Sequence, residues 1–419
     1  MRLGLATVVV AAALLAAPGP AQALGVCPGE TSAAAVPQKP GELLRFGITP
    51  AGEAGALGPA VPAVPGSTAQ DLDALARLRP GAGAPFVIRL NRFFWSLGEP
   101  GIQHFEQLAR TYTDNGYQVE LQLRYHPTAA QEGKIGEWTQ FVREVVDRLG
   151  SNRGVVALQV TNEVNFTLSP DSSDGGYAGA RDALIAGVEA AHDEARARDY
   201  GQLAIGFNWF YRSDPLSEDG FWSYLRDHGG PSFAAAVDWV GLDAYPGTIF
   251  PPAEPPGGYR DGMVNAMSVL RDCFMPVAGL GPELPIHVEE NGYPTGPLRS
   301  DGAQLAALGE MARAVDDFRG TYNVSDYRWF DLRDHDSSSL NFQHHYGLLY
   351  DDYTPKPAFD AYAQLVRSRS RPGPPAPAGT RAFNLRRALK RCKQRKRPRA
   401  RKRCVKHAKR KAHALRAIA

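Results

Sequence analysis

From Leu43 to about Leu365, short apolar runs alternate with longer stretches in which apolar residues return every third or fourth position. The short runs end in Phe46-Gly47-Ile48, Val87-Ile88-Arg89, Glu120-Leu121-Gln122-Leu123, Leu158-Gln159-Val160, Ala204-Ile205-Gly206-Phe207, Val240-Gly241-Leu242, Ile286-His287-Val288 and Tyr327-Arg328-Trp329-Phe330. These runs predict buried strands. The stretches between them, such as 138–149, 177–197 and 304–318, predict amphipathic helices. Strand–helix alternation predicts parallel strands. Eight such units in about 320 residues fit an α/β chain closed as a (β/α)8 TIM barrel. A doubly wound open sheet is the rival, but it normally carries a Gly-rich phosphate-binding turn after an early strand, and none occurs here.

Outside that rhythm the chain changes character. Residues 1–23 read as a secretory signal peptide: Arg2, an apolar stretch from Leu3 to Ala17, and a small-residue cleavage site at Ala21-Gln22-Ala23. The apolar stretch is short for a membrane span and Pro18-Gly19-Pro20 follows it, so export is expected and no transmembrane span. Residues 24–42 form a small-residue, Pro-rich arm, 43–368 the barrel, 369–380 a stiff Pro-rich linker and 381–419 a tail.

Charge separates these units. No Asp or Glu occurs from Arg371 onward, and the tail holds 18 Lys plus Arg. Removing those 18 from the chain's 47 leaves 29 basic against 44 acidic residues, a formal −15, so the net +3 conceals an acidic body and a basic tail. Such a tail suits attachment to an anionic cell-surface polymer or polysaccharide. Its lone aromatic residue, Phe383, gives no platform for base stacking, and no specific nucleic acid is expected. Four cysteines, Cys27, Cys273, Cys392 and Cys404, permit two disulfides in an exported chain, with three possible pairings.

The candidate chemistry lies at two strand ends. Thr161-Asn162-Glu163-Val164-Asn165 closes the fourth run, and Glu289-Glu290-Asn291-Gly292-Tyr293 closes the seventh. In a barrel, the loops after the strands carry the chemistry. Strands 4 and 7 face each other across the mouth, so their carboxylates would meet. Two carboxyl groups whose environments push their pKa values apart can protonate a leaving oxygen and stabilise an oxocarbenium ion. Side chains alternate along a strand, so Glu289 and Glu290 are not both expected to face one ligand.

In these phrases the chain resembles the retaining glycoside hydrolases of clan A, the β-glycosidase and cellulase-like barrels. The resemblance covers nearly the whole body. It implies that Glu163 is acid/base, that Asn162 holds a sugar 2-hydroxyl and that Glu290 is the nucleophile. It implies that Arg89 supports that nucleophile, that Tyr245 hydrogen-bonds it and that Trp329 floors the central sugar subsite. Asp243 stands where many relatives have His. The implied activity is a secreted retaining glycosidase acting on poly- or oligosaccharide, with no cofactor. A glycan-binding barrel without activity and a transglycosylase using the same pair are the alternatives.

Further contacts to carbohydrate are expected at His126 after the third strand, at Trp95 with Phe93 and Phe94 after the second, and at Asn208 beside Trp209 after the fifth. His335, Asp336, His344 and His345 fit no standard metal-ligand spacing, so no metal is expected there; His344 or His345 is better placed to line a cleft.

Overall fold

The computed structural model describes residues 31–50, 64–81, 84–168, 171–211, 215–249 and 257–372. The signal peptide, most of the linker, the basic tail, Cys27, Cys392 and Cys404 lie outside them. Eight parallel strands close into a barrel in chain order. They are β1 (Arg45–Ile48), β2 (Val87–Phe94), β3 (Gln118–Arg124), β4 (Val155–Val160), β5 (Ala204–Phe210), β6 (Trp239–Asp243), β7 (Ile286–Asn291) and β8 (Val324–Trp329). The eight predicted runs are these eight strands. Every residue of β4, β6 and β7 is buried, as strands covered on both faces require.

The helices return the chain on the outside. Ile135–Leu149 buries Trp138, Phe141, Val142, Val145, Val146 and Leu149 on one stripe. Asp301–Tyr322 starts where the Ser300 side chain accepts from the Ala303 N–H, with Asp301 in the positive first turn. Pro357 opens the last helix, Pro357–Arg369, where a missing N–H is harmless. Among the described residues no helix is long and apolar enough to cross a membrane.

The arm from Thr31 runs over the outer helices: the Thr31 N–H donates to Asn265, the Ala33 N–H to Asp261 and the Lys39 N–H to Thr321. Cys273 is disulfide-bonded, and its partner sulfur lies outside the described residues.

The barrel interior is unusual for this architecture, where branched apolar side chains normally fill the layers. Arg89, Glu120, Glu289, Asp326 and Arg328 are buried there together. Gly47 makes room for one of them: a Cβ at that position would lie 2.7 Å from Arg328 Cδ.

Candidate active site

At the C-terminal end of the strands lies a cavity of about 680 Å³ counted to its open mouth. Asn91, Arg92, Gln122, Arg124, Asn162, Glu163, Ser172, Tyr245, Glu290 and Gln343 supply its polar wall, and Phe166, Phe210, Ile249 and Phe330 its apolar wall.

The end of β4 is bent to deliver Glu163. Thr161 and Glu163 both have positive φ, at 64° and 47°, a region that L-residues adopt at a cost of about 1–2 kcal/mol. Such strain persists only where neighbours over-determine it. Here Asp174 Oδ2 accepts from the backbone N–H of Asn162 at 2.9 Å and of Tyr125 at 3.0 Å, while Oδ1 accepts from Arg124 Nε at 2.9 Å. Asn208 Oδ1 accepts from the Glu163 N–H at 2.8 Å. The amide oxygen of Asn162 receives Gln122, Gln159 and Asn208 at 2.8, 3.0 and 2.8 Å, and its own NH2 donates to the Ser172 carbonyl.

Glu290 comes from β7 and is gripped on both oxygens. Arg89 Nη1 donates to Oε1 at 2.8 Å, and the Tyr245 hydroxyl donates to Oε2 at 2.7 Å. Gln122 Nε2 adds a longer contact to Oε1 at 3.5 Å. Burial opposes the charge on Arg89, but the acidic groups around it, Glu290 first, outweigh it, so the guanidinium stays charged. Burial and the adjacent Glu290 push the Tyr245 hydroxyl well up, keeping it protonated and a donor.

One carboxylate oxygen each of Glu163, Asp243 and Glu290 lies within 4.8 Å of the others. Burial first, and then the charge of Glu290, holds the Glu163 carboxyl well above the usual range. The same two causes, with Glu163 added, raise Asp243. The arrangement therefore splits its carboxyls: Glu290 is ion-paired, while Glu163 is proton-retaining. That is an acid beside an anion, facing one cavity.

Below this level a second group is sealed in the barrel. Arg89 Nε lies 3.4 Å from Glu120 and 3.3 Å from Glu289, and Arg328 lies 3.1 Å from Glu120 and 2.7 Å from Asp326. His287 lies 3.2 Å from Glu289 and 3.3 Å from Asp326. Burial, then the neighbouring Glu289, raises the Glu120 carboxyl from 4.5 to about 8. Burial lowers the His287 imidazole from 6.5 to about 4. Glu120, His287 and Glu289 are close enough to hold an ion, as are Glu163, Asp243 and Glu290. In each group guanidinium nitrogens already sit against the carboxylates, which makes them ion-pair networks in character.

The two glutamates of β7 both turn toward the barrel axis. The register with β8 shifts between Val288 and Asn291, and with β6 between Leu242 and Asp243, and such a bulge breaks strict alternation. Only Glu290 reaches the cavity; Glu289 is fully buried beneath it.

Several expected contacts lie elsewhere. Trp329 is fully buried in the main hydrophobic core rather than under the cavity, because Arg328 takes the inward position on β8 and alternation sends Trp329 outward. The next residue, Phe330, lines the cavity with Tyr245 and Phe210. Trp95 is core as well: its ring packs 5.4 Å from Tyr125 and 5.7 Å from Trp138. His126 is half-buried outside the cavity wall, against Phe94 and Ser96. Asn208 and Arg89 are buried behind the lining and act on Glu163 and Glu290 from there. His344 and His345 are also outside the wall; His345 Nε2 bonds the Ser339 carbonyl at 2.7 Å.

Gln122, Asp174, Phe166 and Phe210 carried no signal in the sequence, since each is a common residue type whose role depends on a distant partner. Arg92 did carry one in principle, because a break in β2 pairing between Leu90 and Phe93 follows from a polar Asn91-Arg92 step inside an apolar strand.

No family model and no curated protein matches this chain. Solved structures do. A family 39 glycoside hydrolase from Bacteroides cellulosilyticus WH2 superposes with a TM-score of 0.51 at 16% identity, over 78% of this chain and 64% of that one. A family 1 β-glucosidase from Exiguobacterium antarcticum B7 gives 0.51 at 15% identity, over 72% and 86%. A family 5 variant from Streptomyces cattleya, solved with Manβ1-4GlcNAc, gives 0.51 at 17% identity, over 79% and 83%. The chain thus spans a little under two thirds of the family 39 structure's length. At these identities the likeness is one of fold alone: a (β/α)8 barrel like those of these glycoside hydrolases.

Proposed function

We propose that this chain is a secreted, retaining glycoside hydrolase that cleaves β-glycosidic bonds in a poly- or oligosaccharide by double displacement. The observation that supports it best is the pairing, across one cavity, of an ion-paired Glu290 with a proton-retaining Glu163, one oxygen of each lying within 4.8 Å of the other. Retaining enzymes hold their carboxyl groups about 5–5.5 Å apart, inverting ones farther apart to admit a water.

In this reading Glu290 attacks the anomeric carbon. Arg89 and Tyr245 keep its charge and aim its oxygens. Glu163 protonates the leaving oxygen, then takes a proton from the water that releases the sugar. Asn162, fixed by three amide donors, borders the 2-hydroxyl, and the faces of Phe330 and Phe210 give the apolar side of the sugar a surface. The basic tail holds the exported enzyme near an anionic polymer, and its retention on such a polymer would fall as salt rises.

Wild type, Glu163→Ala and Glu290→Ala should be incubated with aryl β-glycosides and polysaccharides. The expected outcome is one cleaved class and two inactive variants, with azide giving the inverted glycosyl azide from Glu290→Ala. Full activity in either variant would overturn the assignment.

A further inference from the structure

Asp243 is the one carboxyl of the upper trio with neither a guanidinium contact nor a face on the cavity. It ends β6, is fully buried, and takes one hydrogen bond from Asn208 Nδ2 on Oδ2. Among the described residues, its other oxygen, Oδ1, has no hydrogen-bond partner outside the neighbouring carboxyl groups. A buried ionised carboxylate in such a place would leave lone pairs unsatisfied beside two further carboxyls, which is costly. A hydrogen on one of the facing oxygens resolves this, and Asp243 and Glu163 are in side-chain hydrogen-bonding contact.

We infer that Asp243 is a positioning residue that stays protonated through the reaction and donates its hydrogen to Glu163. This rests on the proposed roles of Glu163 and Glu290. When Glu163 gives its proton to the leaving oxygen, the glycosidic bond breaks and the Glu290–sugar bond forms. The new Glu163 carboxylate accepts the Asp243 O–H. When Glu163 takes a proton from water, that hydroxide displaces Glu290 from the sugar. Asp243 neither gains nor loses a proton over the cycle. It lowers the cost of the Glu163 anion without adding a charge.

The groups facing Asp243 set the sign. Glu163 follows β4, Asn208 sits on β5, Tyr245 follows β6, Glu289 and Glu290 sit on β7, and Arg89 on β2. Three carboxyls against one guanidinium favour a proton on Asp243, and its direction of shift agrees.

Asp243→Asn keeps a neutral donor of the same shape. Asp243→Leu keeps the shape and removes the donor. The infrared difference between wild type and Asp243→Asn at neutral pH should show a protonated-carboxyl stretch lost in the variant. The Asn variant should lower kcat/KM by no more than about tenfold, with the basic limb of its pH profile in place. The Leu variant should lower kcat by about 10²-fold and move that limb to higher pH, since Glu163 loses a donor to its charged form. An unchanged infrared band overturns the inference, because Asp243 is then ionised. So does a basic limb displaced downward by a full pH unit or more in Asp243→Asn, since removing a negative charge lowers the Glu163 pKa. If wild type cleaves no glycoside, the hydrolase reading fails instead, and the infrared band alone decides whether Asp243 holds a proton. If the Leu variant does not fold, the Asn variant and the spectrum still decide between a protonated and an ionised Asp243.

Discussion

Two carboxyl groups of β7, one residue apart, live in different electrostatic worlds. Glu290 opens on the cavity, with Arg89 and Tyr245 on its oxygens. Glu289 is sealed below it among Glu120, His287 and the same Arg89. The upper group places its ion pair on a carboxylate that a ligand can reach. The lower group closes its charges on each other, with Arg328 as a second cation. Identical side chains therefore line a cavity in one layer and form a sealed plug in the other, and exposure to the cavity is what separates them. Arg89 belongs to both layers, which makes it the point where the comparison breaks most easily.

Arg89→Met should give the largest effect. It strands Glu290, Glu289 and Glu120 without their shared cation, and breaking a buried pair this way costs about 3–5 kcal/mol. Chemical denaturation should show that loss, and activity should vanish with it. Retained stability would mean that the lower layer neutralises itself by protonation alone.

Glu163→Gln acts on the upper layer only. Glycosides with poor leaving groups should lose about 10²–10⁴-fold in kcat, the usual worth of a general acid, whereas an activated aryl leaving group should lose far less in the first step. Steady-state rates on the two substrate types measure the ratio, and an equal loss on both would remove Glu163 from the acid role. Stability should change little.

Glu120→Gln acts on the lower layer. Its carboxyl is raised from 4.5 to about 8 in the fold, so the folded state holds a proton that the unfolded state has released between those values. Wild-type stability should then decline as pH rises through that window, and the variant should flatten the decline. Denaturation midpoints at several pH values test the slope, and activity should be altered less than in Glu163→Gln.

His287→Asn should give the smallest effect. The imidazole is lowered from 6.5 to about 4, so the unfolded state binds its proton first and wild-type stability is lost as pH falls through that window. The variant should be less sensitive to acid over that range, as thermal scans at pH 4 and pH 7 would show.

Much of the fold was legible because parallel strands buried on both faces tend to read as apolar runs, and the eight short runs were recognisable even though β3, β7 and β8 carry polar residues. Glu163 and Glu290 were legible because a carboxylate ending such a run has few structural uses. Arg89 was visible for the same reason, although β2 continues past it to Phe94 and makes it an interior residue. The aromatic wall lies one position beyond the residue that the sequence suggests. Trp329 and Phe330 are adjacent and both aromatic, and only the inward placement of Arg328 decides which of them turns to the cavity. Trp95 was not legible as core, because an aromatic residue after a strand packs under a loop as readily as it faces a ligand.

The sequence by itself determined the order of strands and helices, the acidic body with its basic tail, and the two strand ends that carry glutamates. These are local properties, set by the periodicity of side chains along the chain. Only the tertiary structure decided which carboxyls lie against one another and which share a cation. It also decided that Asp174 and Asn208 brace the strained end of β4 and that Glu289 is a structural neighbour of Glu290 rather than its rival. Those outcomes depend on distances between residues far apart in the chain, and on how little water reaches them.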